Sequence, residues 1–286
     1  MRQNPYIGLN QIKLEEYINL SPFEIYQKID EKYPSFEEGQ TSEYFLFLYF
    51  INILSKNNVD FLIKGGVLLN IYLGEHARRS KDIDVVVKDP EQFYKDINTA
   101  IKKEKGCFIY KTKWIRKKEA SSNYYHNAFS FLLEVYHGDN LLKTFIIDGV
   151  YEDDYDKIEK VKQPIPEIVA KNAYFYSVPI EYMVSDKLLA NNSDLLRPTK
   201  HLIDLYALIN LRLDVKKVKK YLTKTFKEEN AVRKKFNIPT LEKNFLLDKN
   251  KEYPTSYYLE AIKAGYQISK AEMIDKINKW INNNLE

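Results

Sequence analysis

The stretch from Val59 to Lys88 constrains the fold of this 286-residue chain more than any other segment. Its first apolar residues, 61–63, predict a short strand, and Lys64-Gly65-Gly66 predicts a turn. The apolar run that begins at Val67 predicts a helix to about residue 73, and residues 83–87 predict a second strand. We expect the rest of the chain to pack around this unit.

Two acidic residues open the second of these strands, in the sequence Asp82-Ile83-Asp84. Alternate residues of a strand point to the same face, so the two carboxylates are expected on one side, about 6.5 Å apart. Oxygen ligands in this arrangement suit a hard divalent ion such as Mg²⁺, which usually shares them with substrate phosphates. A solvated strand edge would explain the same residues without a metal.

Gly65 and Gly66 directly precede the predicted helix. Glycine lets backbone N–H groups approach an anion at the positive end of a helix, as phosphate-binding turns do. Plain turn chemistry is the alternative. A metal-binding carboxylate pair and a phosphate-binding turn, one helix apart, together favour nucleotide chemistry.

The composition predicts a folded protein of a reducing compartment. Hydrophobic residues make up 44% of the chain and aromatic residues 14%, which allows a substantial core. The single cysteine, Cys107, excludes an intramolecular disulfide framework. We expect no signal peptide, and the longest apolar run is interrupted by Asn52 and too short to span a bilayer. The expectation is therefore a soluble cytoplasmic protein without membrane contact.

The remaining pattern predicts a mixed sheet with helices on one side. Helices are expected at residues 42–56 and from residue 89 to near 106, and strands at residues 107–115, 127–136 and 141–151. An acidic segment broken by Pro164 and Pro166 follows the last strand. We place a domain boundary there, between residues 1–165 and a mainly helical domain of residues 166–286.

Asp148 lies within the third of these strands, in the apolar sequence KTFIIDGVY. An unpaired carboxylate in such surroundings costs several kcal/mol of lost hydration. We therefore expect Asp148 either to reach water at the end of the strand or to face a cation.

The string Lys64-Gly65-Gly66 … Arg79-Ser80-Lys81-Asp82-Ile83-Asp84 resembles the signature of polymerase-β-like nucleotidyltransferases. Within them it resembles the AbiEii group, the toxin half of type IV toxin–antitoxin pairs. The resemblance implies an α+β fold: a mixed sheet with flanking helices and a mainly helical C-terminal half. It also implies a third carboxylate from a neighbouring strand, for which Asp148 is favoured over Glu134. Asp82, Asp84 and Asp148 would then bind two Mg²⁺ (or Mn²⁺) ions.

The C-terminal half carries the rest of the AbiEii pattern. The matching residues are Glu181, Lys187-Leu188-Leu189, Arg197 and Asp204-Leu205-Tyr206. His201-Leu202-Ile203 before Asp204 departs from the commoner spacing, which leaves the counterpart of Lys200 open. The resemblance implies that Lys187 contacts the triphosphate as a point charge and that Asp204 orients this lysine or the base. A surface lysine and an aspartate on a helix surface are the alternative.

The resemblance thus implies two sets of site residues. The catalytic set is Asp82, Asp84, Asp148 and Lys187, and the nucleotide-binding set is Lys64, Gly65, Gly66, Arg79, Ser80, Lys187 and Asp204. Arg78 and Arg79 lie just ahead of the metal site and are expected to contact the triphosphate or the acceptor. A surface ion pair is the alternative for both arginines.

A basic segment runs from Lys216 to Lys235. Its nine lysines and arginines against two glutamates give a charge of +7, which leaves −3 for the rest of a chain whose formal charge is +4. Lys216, Lys220 and Lys224 recur every four residues and would share one face of a helix. Such a face suits a polyanion such as RNA, and a solvated helix face is the alternative.

These features predict a Mg²⁺-dependent nucleotidyltransferase that transfers a nucleoside monophosphate from an NTP to an acceptor hydroxyl. By resemblance the acceptor is an RNA, the 3′ end of a tRNA. The protein would then be the toxin of a toxin–antitoxin or phage-defence pair, with a cognate antitoxin as a partner. Transfer to a small molecule such as an aminoglycoside, or to a protein hydroxyl, is the alternative activity. A nucleotide- or RNA-binding protein without catalysis is a further alternative, against which the presence of both Asp82 and Asp84 argues.

Overall fold

The computed structural model of the chain describes residues 9, 12–32, 41–73, 82–118, 128–192, 198–248 and 266–285. The strands in these segments are β1 (Leu62–Lys64), β2 (Ile83–Val87), β3 (Ile109–Lys118), β4 (Ala128–His137), β5 (Asn140–Tyr151), β6 (Val161–Pro164) and β7 (Tyr174–Ser177). They form one sheet of seven strands in the order β3-β4-β5-β2-β1-β7-β6. Strand β1 is parallel to β7 and β2 is parallel to β5, whereas the other neighbours are antiparallel. The predicted mixed sheet is confirmed.

The α-helices of the described segments are α1 (Pro22–Lys32), α2 (Thr41–Lys56), α3 (Gly65–Leu73), α4 (Pro90–Lys103), α5 (Ile180–Asn192), α6 (Pro198–Leu208), α7 (Val215–Lys235) and α8 (Lys270–Asn284). Helices α2 and α4 pack on one face of the sheet through aromatic rings. Phe47 of α2 lies 6.5 Å from Phe145 of β5, and Phe93 of α4 lies 6.1 Å from Phe131 of β4, between ring centroids. Because residues alternate along a strand, Asp148 of β5 points away from these two helices.

Local sequence explains where several helices begin. Asp89 caps α4, and its side chain accepts hydrogen bonds from the N–H groups of Glu91 and Gln92 at 2.8 and 3.1 Å. At α1, the N–H of Ser21 donates to the Glu24 carboxylate at 2.7 Å, and the N–H of Glu24 donates back to the Ser21 hydroxyl at 3.3 Å. These reciprocal bonds satisfy two N–H groups that a helix start leaves without partners.

The sequence Gly138-Asp139-Asn140, between the strands predicted at residues 127–136 and 141–151, predicts a hairpin turn, and the structure has a tight turn between β4 and β5. His137 pairs with Asn140, so Gly138 and Asp139 form the turn and Asn140 already belongs to β5. Gly138 has a φ of +57°, which glycine adopts without a steric penalty. The predicted turn is confirmed, one residue shorter than expected.

The sequence pattern predicts no strands at β6 and β7, yet the structure has both. Each strand has four residues, and their buried side chains include the polar Gln163 and Ser177. The apolar alternation is therefore too short to recognise in the sequence. Residues 165 and 166, where we expected the domain boundary, lie between these two paired strands. A division into 1–165 and 166–286 stays a prediction.

The C-terminal helices pack on one another beside the sheet. Helix α5 contacts α6 and α7, and α8 contacts α6. The hydroxyl of Ser185 in α5 donates to the backbone oxygen of Val218 in α7 at 3.1 Å, and Glu181 accepts the backbone N–H of Asp214 at 3.1 Å. The start of α7 is therefore held against α5. No helix in the described segments has both the length and the apolar content that a membrane crossing requires.

Candidate active site

The register of four neighbouring strands brings Lys64, Asp84, Asp148 and Ser130 into one row. Lys64 pairs with Asp84 across β1 and β2, and Asp84 pairs with Asp148 across β2 and β5. Ser130 of β4 in turn pairs with Asp148. Directly paired residues point to the same face of a sheet, and adjacent strands lie about 4.8 Å apart. Two carboxylates thus stand side by side, with a lysine at one end of the row and a hydroxyl at the other.

The neighbour of Asp84 in this row is Asp148 and not the competing candidate, Glu134. The Ser130 hydroxyl donates a hydrogen bond to Oδ1 of Asp148. Glu134 is four residues further along β4, which puts it about 13 Å from the row. Its carboxylate accepts a hydrogen bond from the Tyr136 hydroxyl at 3.0 Å. The geometry therefore favours Asp148 over Glu134 as the third carboxylate of the predicted site.

The close approach of Asp84 requires glycine at position 65. Gly65 has a φ of +71°, and a Cβ at this position would lie 1.8 Å from Oδ2 of Asp84. The N–H of Gly66 donates to the same oxygen at 3.4 Å. Helix α3 begins at Gly65, whereas the sequence pattern predicts a start at Val67. The Gly-Gly turn thus lets the backbone pack against a carboxylate, and a phosphate bound here would compete with Asp84 for the Gly66 amide.

Asp82 comes directly before β2 and is partly buried. It lies two positions before Asp84 and one residue outside the strand, which begins at Ile83. Among the described residues, no three His, Cys, Asp or Glu side chains are near enough to one another to hold a metal ion together. Asp84 and Asp148 therefore lie on adjacent strands with Asp82 just before one of them, and the three side chains are too far apart to hold a metal ion together.

The pKa of Asp84 depends on burial and on the charged groups around it. Burial raises the pKa of the Asp84 carboxyl above its ordinary value. The charges of Lys64, Lys187 and Lys200 act against this rise, and the charge of Asp148 adds to it. Two neighbouring carboxylates repel each other, and a cation between them would remove that repulsion. Lys200, whose place in the family pattern the sequence leaves open, lies within electrostatic range of the row.

Lys64 connects the row to helix α5. Its Nζ lies 3.7 Å from Oδ1 of Asp186 and 5.9 Å from the centroid of the Tyr182 ring. Burial alone would lower the pKa of Lys64, but the carboxylates of Asp186, Asp84 and Glu152 outweigh burial and raise the pKa above its ordinary value. Lys64 is therefore charged at neutral pH. The spacing of the sequence motifs does not point to Asp186 or Glu152, because both belong to elements far from Lys64 in the chain.

Lys187 and Asp204 form a buried ion pair between α5 and α6. Nζ of Lys187 lies 3.5 Å from Oδ2 of Asp204, and the two side chains are 6% and 1% exposed. The same Nζ lies 3.2 Å from Nδ1 of His201. Burial of both charges rules out the alternative that these are ordinary surface residues. The pair holds a positive charge within range of the carboxylate row.

The structure gathers most of the predicted nucleotide-binding residues around this row. Those it describes are Lys64, Gly65, Gly66, Lys187 and Asp204. Arg79 and Ser80 lie outside the described residues, and so do Arg78 and Arg197. Ser130 and Asp186 join the site, although no motif in the sequence marks either of them.

The basic segment forms helix α7, and part of its charge is neutralised within the fold. Nζ of Lys224 lies 3.2 Å from Oε2 of Glu152 and 3.7 Å from Oε1 of Glu228. Lys216 and Lys220, by contrast, are exposed. Two of the three lysines predicted to contact RNA therefore present their charge to solvent, whereas Lys224 takes part in ion pairs.

Comparisons with known proteins identify the family. The family model described as nucleotidyl transferase AbiEii toxin, type IV toxin–antitoxin system, matches residues 47–279. No curated protein matches the chain in sequence. Among solved structures, the nucleotidyltransferase toxin MenT4 from Mycobacterium tuberculosis has a TM-score of 0.61 at 14% identity, covering 94% of this chain and 90% of that one.

Two further solved structures match with lower TM-scores. JHP933 from Helicobacter pylori has a TM-score of 0.43 at 14% identity, covering 84% of this chain and 92% of that one. The antibiotic-resistance factor ANT(2″)-Ia has a TM-score of 0.42 at 14% identity, covering 68% of this chain and 97% of that one. Similarity at this level supports no conclusion about the activity of this chain.

The family match spans both the strand–turn–helix–strand unit and the Lys187–Asp204 pair. The similarity to MenT4 shows a shared fold. The predicted fold class is thereby confirmed: a polymerase-β-like mixed sheet with flanking helices and a mainly helical C-terminal half. The chain is a nucleotidyltransferase, and it belongs to the AbiEii toxin family of type IV toxin–antitoxin systems.

Proposed function

We propose that this protein transfers a nucleoside monophosphate from an NTP to a hydroxyl of an RNA acceptor, the 3′ end of a tRNA, in a Mg²⁺-dependent reaction. The observation that carries the proposal is the in-register pair of Asp84 and Asp148, with the charges of Lys64, Lys187 and Lys200 around Asp84. Carboxylates placed for a cation and lysines placed for phosphates are what NTP chemistry requires.

The metal ligands of the proposal are Asp82, Asp84 and Asp148. Their oxygen atoms are the donors that Mg²⁺ or Mn²⁺ prefers, and the repulsion between Asp84 and Asp148 favours a cation beside them. A bound divalent ion would activate the attacking hydroxyl and neutralise charge on the leaving pyrophosphate. The three side chains would have to converge when it binds, since they form no closed cluster in the described residues.

The lysines are proposed to bind the triphosphate. Lys187 forms an ion pair with buried Asp204, and Lys64 forms one with Asp186, whose Oδ1 lies 3.7 Å from its Nζ. Each is therefore held in a fixed position before the substrate arrives, which lowers the reorganisation that binding requires. The acceptor oxygen forms a bond to the α-phosphorus while the bond from that phosphorus to the bridging oxygen breaks. Pyrophosphate leaves, and Asp148 is proposed to take the hydroxyl proton.

Exposed lysines on α7 support an RNA acceptor. Lys216 and Lys220 are exposed on a helix that packs against α5, the helix that carries Lys187. Contacts of lysines with phosphates bind RNA without regard to sequence. With tRNA as acceptor, the protein would act in the cytoplasm as a toxin, and membership of a type IV toxin–antitoxin family favours a cognate antitoxin as its partner.

The proposal is tested by supplying each α-³²P-labelled NTP in turn with Mg²⁺ or with EDTA. Total tRNA, an aminoglycoside mixture and a protein extract serve as separate acceptors. We expect label in tRNA, with one NTP preferred, and none in EDTA. Periodate-oxidised tRNA, whose terminal hydroxyls are destroyed, is the matched control and should remain unlabelled. Label in the aminoglycosides or the proteins instead of tRNA would contradict the RNA acceptor.

A further inference from the structure

A cleft opens at the edge of the sheet where β6 and β7 lie, and it has a volume of about 580 Å³. We call it the edge cleft. Its lining residues come from the end of α2, the segments before β1 and β6, the segment between β6 and β7, and β7 itself. They include Asn52, Lys56, Lys160, Lys171, Tyr174 and Tyr176. A cavity of this size is large enough for one nucleotide.

The edge cleft is separate from the carboxylate row. Ser177 of β7 pairs with Ile63 of β1, next to Lys64 at the carboxylate end. Tyr174 lies three residues before Ser177, so it is about 10 Å further along the strand from that pair. The cleft therefore faces the beginning of β1 and β7, whereas the metal site lies at the end of β1.

Two tyrosines form an exposed aromatic surface in the edge cleft. Tyr174 is 39% exposed and Tyr176 is 41% exposed. Their rings meet edge to face at 5.6 Å between centroids, and Nζ of Lys162 lies 3.6 Å from the centre of the Tyr174 ring. Lys162 therefore covers one face of the Tyr174 ring, and the remaining exposed surface of the two rings is available for a base to stack on.

The charge of the edge cleft is positive. Lys56, Lys160 and Lys171 line it, against one acidic lining residue, Asp60. The Asp60 carboxylate accepts hydrogen bonds from Nζ of Lys160 and from the Tyr155 hydroxyl, both at 2.8 Å. Asp60 therefore neutralises part of the charge of Lys160. The side chains of Lys56 and Lys171 are exposed to solvent. This charge complements a phosphate backbone.

Amide side chains complete the lining. Asn58 and Asn172 are exposed at this cavity, whereas the lining residue Asn52 is buried. An asparagine presents both a donor and an acceptor, so it can bind the edge of an unpaired base. An acidic peptide would bind the lysines of this cleft but has no nucleobase to stack on the tyrosines.

From this combination we propose that the edge cleft binds an unpaired nucleotide of a single-stranded segment of RNA, as a second contact for the acceptor. The base stacks on Tyr174 or Tyr176, and the phosphates on either side contact Lys56 and Lys171. The identity of this RNA as the acceptor rests on the proposed function. The cleft would hold the body of the RNA while its 3′ end reaches the carboxylate row.

The test measures the affinity of the full chain for a short fluorescein-labelled single-stranded RNA by anisotropy, without NTP or divalent ion. The variant Tyr174→Ala/Tyr176→Ala should bind about tenfold more weakly, since it loses the stacking surface. The matched control, Tyr174→Phe/Tyr176→Phe, keeps both rings and should bind like the wild type. A duplex of the same sequence should compete poorly, because its bases are already stacked.

The phosphate contacts have their own readout. Lys56→Gln/Lys171→Gln should reduce the slope of log affinity against log salt by about 1.4 units, since each single-strand phosphate contact contributes about 0.7. Lys102→Gln/Lys103→Gln, an equal loss of charge from exposed positions at the end of α4, should leave the slope unchanged. Parallel slopes for the Lys56/Lys171 variant and the wild type would contradict these phosphate contacts.

Failure of the cleft proposal can be told apart from failure of the proposed function. If tRNA is labelled normally but the alanine pair binds RNA as tightly as the phenylalanine pair, the cleft proposal is wrong and the activity stands. If a polyglutamate peptide displaces the RNA as well as unlabelled RNA does, the occupant is an acidic peptide and the cleft proposal is again wrong. If the wild type binds no RNA and transfers label to a small hydroxyl compound, both the RNA acceptor and the RNA contact in the edge cleft are wrong.

Discussion

A Cβ at position 65 would lie 1.8 Å from Oδ2 of Asp84, so the Asp84 carboxylate fills the space that a side chain at this position would need. Asp84 reaches this position because β1 and β2 pair in register, Lys64 with Asp84. Two of the motifs recognised in the sequence, the Gly-Gly turn and the Asp-x-Asp strand, are therefore parts of one contact. Any side chain at position 65 must displace the carboxylate that the proposed mechanism uses.

Gly65→Ala should abolish nucleotide transfer while the fold is retained. Its Cβ displaces Asp84, and its φ of +71° adds a backbone cost of about 1 to 2 kcal/mol. Gly138→Ala is the matched control, because Gly138 also has a positive φ, +57°, but nothing lies within 4 Å of the added Cβ. Urea unfolding should show the backbone cost in both variants and a further loss in Gly65→Ala, which must also displace Asp84. Transfer assays should show lost activity for Gly65→Ala alone. Wild-type turnover in Gly65→Ala would refute the contact with Asp84.

Asp148→Asn should lower the transfer rate about a hundredfold or more, because the amide keeps the volume of the side chain but removes a charge at the reacting phosphate. Asp82→Asn and Asp84→Asn should behave in the same way. Glu134→Gln, the same change about 13 Å along β4, should leave the rate within about twofold of the wild type. Rates measured at saturating Mg²⁺ and NTP make the comparison. If Glu134→Gln lost activity and Asp148→Asn kept it, Glu134 and not Asp148 would be the third carboxylate of the active site.

Asp84→Asn should make the protein more stable when no divalent ion is present. Burial, aided by the charge of Asp148, raises the pKa of Asp84 in the folded state, so the folded chain binds this proton more tightly than the unfolded chain. Stability therefore falls as the pH rises from the ordinary pKa through the raised one, and the cost is absent below both. Urea unfolding over a range of pH should show an advantage for Asp84→Asn above that window, and none in acid.

Mg²⁺ should reverse this order of stabilities. At a concentration of 100 times its dissociation constant, an ion that binds the folded state alone adds about 2.7 kcal/mol to the free energy of unfolding. The wild type should gain this stabilisation, whereas Asp84→Asn should gain little. An equal gain in both proteins would mean that Mg²⁺ binds elsewhere.

Lys187→Met should lose both stability and activity, and a second substitution should separate the two effects. Removing Lys187 takes the cation of this ion pair away from the carboxylate of Asp204, which is 1% exposed, and breaking a buried pair in this way costs about 3 to 5 kcal/mol. In Lys187→Met/Asp204→Leu no buried charge remains unpaired, so much of the stability should return. The transfer rate should stay low in the double variant, because the cation at the triphosphate is still absent. Recovery of activity together with stability would show that the pair is only structural.

The two exposed lysines of α7 should contribute to RNA binding, and Lys224 should not. Lys216→Gln/Lys220→Gln should lower the slope of log RNA affinity against log salt by about 1.4 units if each lysine contacts one single-strand phosphate. Lys224→Gln removes the partner of Glu152 and Glu228, so it should reduce thermal stability and leave the salt slope unchanged. Salt titrations with the same labelled RNA compare the variants. If only Lys224→Gln changed the salt slope of RNA affinity, Lys224 would contact the RNA and Lys216 and Lys220 would not.

The sequence by itself determined the features that depend on near neighbours in the chain. The start of α4 at Asp89-Pro90, the turn at Gly138-Asp139, and the Gly-Gly and Asp-x-Asp motifs all lie within a few residues of what they act on. Dihedral preference, capping and strand alternation are local effects, and a single sequence displays them directly. The family resemblance added the pairing of these motifs with Lys187 and Asp204.

Only the tertiary structure decided which distant groups meet. Asp84 and Asp148 lie 64 positions apart in sequence, and strand register sets them side by side while Glu134 pairs with Thr144, outside that row. Lys187 and Asp204 form a buried ion pair between two helices, and Lys224, which the sequence predicts to contact RNA, forms ion pairs with Glu152 and Glu228. The β6–β7 hairpin, with the exposed tyrosines of the edge cleft, left no readable pattern, because each strand has four residues and its buried positions are partly polar. Such contacts depend on how distant segments pack and pair, and local preference carries no information about that.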